Sequence, residues 1–126
     1  MIKETTTIAG IEVTLGYCFA TEINYRNLAD EEISVYFKEA FAYIQEHKDP
    51  DTDKSIRLVL ASVISYYDSQ SVGEATYPIN ERTLIYDTTP DELMKAVIKI
   101  TNLRNNFYKV PKGEPEEEKK GKKGKN

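Results

Sequence analysis

The chain has 126 residues, of which 40% are hydrophobic and 30% charged, a composition typical of one globular domain. Seventeen basic and 21 acidic side chains give a net charge of −4, and the single cysteine, Cys18, cannot form a disulfide within the chain. Because the first residues lack the apolar core of a signal peptide, and no apolar run approaches the ~20 residues of a membrane-spanning helix, we expect a cytoplasmic protein that does not bind a membrane.

The N-terminal residues predict an antiparallel β-hairpin. Residues 5–8 are all β-branched, residues 9–10 (Ala-Gly) offer a turn, and apolar side chains alternate with polar or small ones over residues 11–16. An alternation with period two places one face of a hairpin on the core and leaves the other in water. A first helix is then expected over about residues 17–27.

Two helices and one ambiguous segment are predicted in the middle of the chain. The first of these helices is expected to begin after Asp30 as its N-cap and to end near residue 48. The next, over about residues 55–67, is apolar nearly all round, which is typical of a central helix. Residues 68–88 are interrupted by a glycine and a proline, and residues 83–86 are expected to form a short strand or an extended crossing.

The last helix has the clearest start, and a polar tail follows it. Thr89, Pro90 and Glu92 combine an N-cap, a proline at the first helical position and a capping box. Residues 111–126 have no apolar side chain except proline, which predicts disorder. The sequence therefore predicts an α+β, mostly helical domain over residues 1–110, with an N-terminal hairpin, about four helices and a disordered tail.

The sequence offers no recognisable catalytic or ligand-binding motif. One histidine, His47, and one cysteine cannot make the common zinc sites. Residues 49–53 alternate aspartates as a calcium loop does, but Lys54 and Leu60 stand where that loop needs glycine and glutamate, so this loop is interpreted as a helix cap. Because glycine-rich phosphate loops and nucleophile elbows are also absent, we expect no enzymatic activity, no metal and no cofactor.

Protein binding is the function that the sequence favours. The tail carries +2, so residues 1–110 carry −6 and lack the basic clusters that bind nucleic acid. At four positions of the second and last predicted helices, an apolar side chain lies outside the helix face that one packing partner can cover. These side chains either complete the core or form an apolar surface for another protein. Self-association is left open. The candidate protein-binding residues are Tyr36, Tyr43, Met94 and Ile98.

The order of the predicted elements resembles a known family. A hairpin with a turn glycine (residues 8–15, IAGIEVTL) leads through Gly16-Tyr17-Cys18-Phe19 into the first helix, and a cluster of helices and a charged C-terminus follow. Over about residues 5–67 this pattern resembles the tail assembly chaperones of long-tailed bacteriophages and prophages.

The resemblance implies a non-enzymatic protein that coats the tape-measure protein during tail assembly and is absent from the finished virion. Members of that family often have a longer form made by ribosomal frameshifting, which occurs at slippery codons. Such codons can encode the lysine-rich residues 119–124. The alternatives are a structural head–tail or tail component of a phage, an unrelated intracellular adaptor, and a small enzyme with a hidden site.

Overall fold

The computed structural model describes residues 1–109 and has an α+β fold, as predicted. The predicted disorder of residues 111–126 lies outside the described residues. A two-stranded antiparallel hairpin comes first and five helices follow within residues 1–109, one more than the sequence predicts. In chain order the elements are β1 (Ile2–Ile8), β2 (Ile11–Tyr17), α1 (Phe19–Ala29), α2 (Ile33–Gln45), α3 (Thr52–Gln70), α4 (Glu81–Tyr86) and α5 (Pro90–Tyr108).

The hairpin forms as its alternation predicts. Ile8 pairs with Ile11 across a two-residue turn, in which Ala9 (φ 53°) and Gly10 (φ 76°) both adopt the left-handed conformation that tight hairpin turns require. One face of the hairpin packs against α3 and α5 and the other remains in water. The buried hairpin side chains include Thr6, Ile8, Val13, Leu15 and Tyr17.

Helix α3 is the central element, which confirms the sequence prediction. Six consecutive residues, 58–63, are buried, so the helix is covered on nearly every side. Its neighbours are α1, β2, α4 and α5. The carbonyl oxygen of Gly16 accepts hydrogen bonds from Thr21 Oγ1 (3.0 Å) and Ser62 Oγ (2.9 Å), so one buried backbone group joins the hairpin to α1 and α3.

The start of α5 forms the predicted capping box and also holds the hairpin turn. Thr89 Oγ1 accepts a hydrogen bond from the Glu92 backbone N–H (3.2 Å), and the Glu92 carboxylate accepts one from the Thr89 N–H (3.2 Å). The same carboxylate accepts from the N–H groups of Ala9 (3.0 Å) and Gly10 (3.4 Å). These backbone donors, Thr89 first, hold the pKa of Glu92 below its usual value.

Two local predictions are wrong. Asp30 does not open the second helix: it ends α1 in the left-handed conformation (φ 56°), which aspartate tolerates better than most residues, and α2 starts after Glu32. Residues 83–86 are helical and not extended. The Asn80 side chain accepts from the Thr83 N–H (3.0 Å) and Leu84 is buried, so a cap and a tertiary contact override the strand preference of this segment.

Candidate functional site

An apolar groove of about 610 Å³ lies between α2 and α5. Both helices contribute aliphatic or aromatic side chains to it, and six polar residues complete the lining. The apolar lining residues are Phe37, Ala40, Phe41, Ile44, Met94, Val97 and Ile98; the polar ones are Ser34, Lys38, Thr101, Asn102, Arg104 and Asn105.

The groove exists because α2 is covered by the rest of the domain only along its first half. Its buried residues are Ile33, Tyr36 and Ala40, whereas every residue from 41 to 49 is exposed. Phe41 is 63% exposed and Ile44 is 53% exposed, although both continue the apolar stripe of the helix. The second half of α2 therefore carries apolar side chains that no described element covers.

Tyr36 does not belong to this exposed surface. Its side chain is 2% exposed, and its ring packs edge-to-face on Tyr25 and Phe37. Its hydroxyl and Ser55 Oγ lie 2.7 Å apart in a hydrogen bond, and burial raises the pKa of Tyr36 to about 12. The expectation that Tyr36 offers spare surface is wrong, because this part of the broad apolar arc faces α1 and α3.

The other three candidate residues are at least partly accessible, and two of them line the groove. Met94 is half-buried and Ile98 is 53% exposed, and both face the groove from α5. Tyr43 is 37% exposed but does not line it. Phe41 also lines the groove but was not among the candidates, because the apolar periodicity of α2 does not show where the elements that cover the helix end.

Arg104 lies at one end of the groove and was not predicted. Its guanidinium Cζ is 4.7 Å from the ring centroid of Phe37 and 5.5 Å from that of Tyr108. Within residues 1–109 its Nε is buried and has no hydrogen-bond partner. The spacing of four between Arg104 and Tyr108 is a signal that could have indicated a stacked arginine.

A second cavity adjoins the Arg104 end of the groove. It has about 440 Å³ and is lined by Arg104, Asn105, Tyr108 and Lys109. Beyond it, the ring of Phe107 packs on Phe19, with centroids 5.1 Å apart, and Phe19 is 63% exposed. Phe19, the first residue of α1, therefore presents exposed aromatic surface beside Phe107.

The residues considered for metal or thiol chemistry have structural positions. Asp51 caps α3 by accepting a hydrogen bond from the Lys54 N–H (2.9 Å), which confirms the interpretation of the acidic loop as a cap. Cys18 is the N-cap residue of α1, and His47 is exposed just after α2. Among residues 1–109, no three His, Cys, Asp or Glu side chains come together as a metal-binding group.

Comparisons with protein-family models, with curated proteins and with solved structures found no match for this chain. None of the helices in residues 1–109 combines the length and apolar character that crossing a membrane requires. Function is therefore inferred from the groove and from the sequence.

Proposed function

We propose that this protein binds an apolar helical segment of another protein in the groove between α2 and α5. We further propose that it acts as a phage-type tail assembly chaperone in the host cytoplasm and covers the tape-measure protein while the tail assembles. Its action is binding and release, without a chemical reaction.

The observation that supports this proposal is the accessibility of the apolar groove residues. Phe41, Ile44 and Ile98 are each more than half exposed and line one continuous cavity. Grouped apolar surface of this kind marks sites where proteins bind one another, since isolated soluble proteins rarely leave it uncovered. A groove between two helices is a common receptor for a third, amphipathic helix.

The charge and size of the domain suit a reversible chaperone. Residues 1–110 carry a net charge of −6. This charge keeps a domain with exposed apolar groups soluble before the protein that it binds, its client, is made. A tape-measure protein is long and helical with apolar stripes, so it needs many covers that can leave again. Several copies bound along one client gain avidity although each groove binds weakly.

Co-expression with a long helical protein encoded beside this gene tests the proposal. We expect Ile98→Asp to abolish recovery of that protein in a pull-down, because the new carboxylate lies in the apolar groove. The matched control is Ile85→Asp on α4, since Ile85 is exposed to the same degree (52% against 53%) but lies outside the groove. Equal recovery with both variants would contradict the proposed site.

Two further observations separate a chaperone from the alternatives. A chaperone gene is expected between the major tail protein gene and a very long tape-measure gene, whereas an unrelated adaptor has no such neighbours. Mass spectrometry of purified virions is expected to find no trace of this chain. Its presence there in stoichiometric amounts would favour a structural tail component.

A further inference from the structure

We infer that the segment bound in the groove is a single amphipathic helix with a carboxylate beside its apolar side chains, and that Arg104 binds this carboxylate. The inference rests on the proposed function, because it specifies the chemistry of the bound segment.

The first support is the local charge. The groove and the adjoining cavity share Arg104 and are lined by three basic residues, Lys38, Arg104 and Lys109, and by no aspartate or glutamate. Residues 1–110 as a whole carry −6. The cavities are therefore a basic site on an acidic domain, and such a site selects partners with negative charge.

The second support is the environment of Arg104. Its guanidinium is held against the rings of Phe37 and Tyr108, and its buried Nε has no hydrogen-bond partner within residues 1–109. None of the ion pairs among these residues includes Arg104. The acidic side chain of Glu22 is instead engaged by the hydroxyls of Tyr17 and Tyr108. A stacked guanidinium keeps its donor edge oriented for a carboxylate, because the planar fork matches the two carboxylate oxygens.

The position of Arg104 in α5 does not explain its charge. Cations near the end of a helix favour its dipole, but this effect falls off within the last turn. Arg104 lies before the last turn of α5, which contains no basic residue. We therefore assign Arg104, which lies against the rings of Phe37 and Tyr108, a role in the groove.

The shape of the groove fits a helix of limited length. Its lining covers residues 34–44 of α2 and 94–105 of α5, a span of about 17 Å, which is the length of about 11 helical residues. Such a helix places apolar side chains at positions i, i+3 or i+4, and i+7 along one face. Residues 111–126 of the chain itself cannot fill an apolar groove, because proline is their only apolar residue.

Selection from a displayed library of helical peptides tests this inference. The peptides have about 14 residues, randomised in a helix-favouring background. Selections use the full-length wild type, Arg104→Glu and a matched control, Arg82→Glu. The control changes the charge equally on α4, where Arg82 stacks on Tyr86 and lines neither cavity.

Selection with the wild type or with Arg82→Glu is expected to enrich peptides that carry helically spaced apolar residues and an aspartate or glutamate at one fixed position. Arg104→Glu is expected to enrich lysine or arginine at that position. For one selected acidic peptide, Arg104→Gln should weaken binding about tenfold, while binding of the glutamine version of the same peptide stays the same. Since Arg104→Gln removes the positive charge without adding a negative one, it carries the test if Arg104→Glu does not fold.

Three results would overturn the inference. The first is that the selected peptides show no preferred acidic position. The second is that the wild type and Arg104→Glu select the same sequences. The third is that the free chain forms a stable dimer that Phe41→Ser dissociates, because a second copy would then occupy the groove. If acid preference is missing while Ile98→Asp still abolishes client recovery, only this inference fails. If Ile98→Asp has no effect on the client, the proposed function fails.

Discussion

Helices α3 and α2 are both rich in apolar residues, but the domain covers them very differently. In α3, residues 58–61 are all buried, because α1, the hairpin, α4 and α5 surround the helix. In α2, burial stops after Ala40, although Phe41 and Ile44 continue the same apolar stripe. The comparison shows that the burial of an apolar side chain in this domain depends on how many elements pack against its helix. In α2 the apolar stripe continues past the elements that cover it, and this leaves the exposed surface that we propose as the binding site.

The largest expected difference comes from truncating one apolar side chain in each helix. Leu58→Ala in α3 should lower the free energy of unfolding by about 2–5 kcal/mol, since Leu58 is 0% exposed. Phe41→Ala in α2 should change it by about 0.5 kcal/mol or less, since Phe41 is 63% exposed. Urea unfolding of both variants measures this. A large loss for Phe41→Ala would mean that the groove is closed in solution.

A smaller effect is expected at Gly16, where the hairpin lies close to α3. An added Cβ at Gly16 would lie 3.0 Å from Cβ and 3.3 Å from Cα of Tyr66 in α3. Because the Tyr66 backbone would have to shift to make room for the new methyl group, Gly16→Ala should cost about 1–3 kcal/mol in urea unfolding. If Gly16→Ala is as stable as the wild type, the hairpin and α3 are less tightly packed than the structure shows.

Removing the hydroxyl of Tyr36 tests how the covered half of α2 is attached. Tyr36→Phe loses the hydrogen bond with Ser55 but keeps the ring, and Ser55 Oγ still donates to the Asp51 carbonyl (2.7 Å). The expected loss is therefore about 1 kcal/mol of unfolding free energy. Client recovery should not change, because Tyr36 does not line the groove. Lost client binding in a variant of nearly normal stability would restore Tyr36 as a binding residue.

The smallest effect is expected at the exposed link between α5 and the hairpin turn, and it depends on pH. The pKa of Glu92 is lowered in the folded state, so its carboxylate stabilises the fold at neutral pH. This contribution is present above the unfolded-state pKa of about 4.3 and is lost as the pH falls through the lower folded-state pKa. Glu92→Gln should therefore be less stable than the wild type at neutral pH, and the two should converge in acid. A constant difference in urea unfolding across the pH range would contradict this role.

Elements with strong local signals could be predicted from the sequence. The hairpin turn, the capping box at Thr89 and the apolar pattern of α3 each follow from residues that are neighbours in the chain. The segments that could not be predicted depend on distant contacts. Asp30 suits a left-handed C-cap as well as an N-cap, and residues 83–86 become helical through the Asn80 cap and the burial of Leu84.

The candidate site was predicted only in part, for the same reason. Met94 and Ile98 lie off the main stripe of α5, so helical geometry alone indicated them. Tyr36 lies off the stripe of α2 in the same way but meets Tyr25 of α1, which the sequence does not place nearby. Arg104 was missed because its surroundings come from α2 as well as from its own helix.

The contacts of α5 with the hairpin bear on how the chain is made. The Glu92 carboxylate holds the turn at Ala9, Lys99 Nζ donates to the Thr5 carbonyl (2.7 Å), and α5 packs along β1. These partners are separated by more than 80 residues, so the N-terminal hairpin is completed by α5, which comes much later in the chain. A nascent chain that ends before α5 leaves uncovered the part of the hairpin that α5 buries, so this part of the core forms only after α5 has been made.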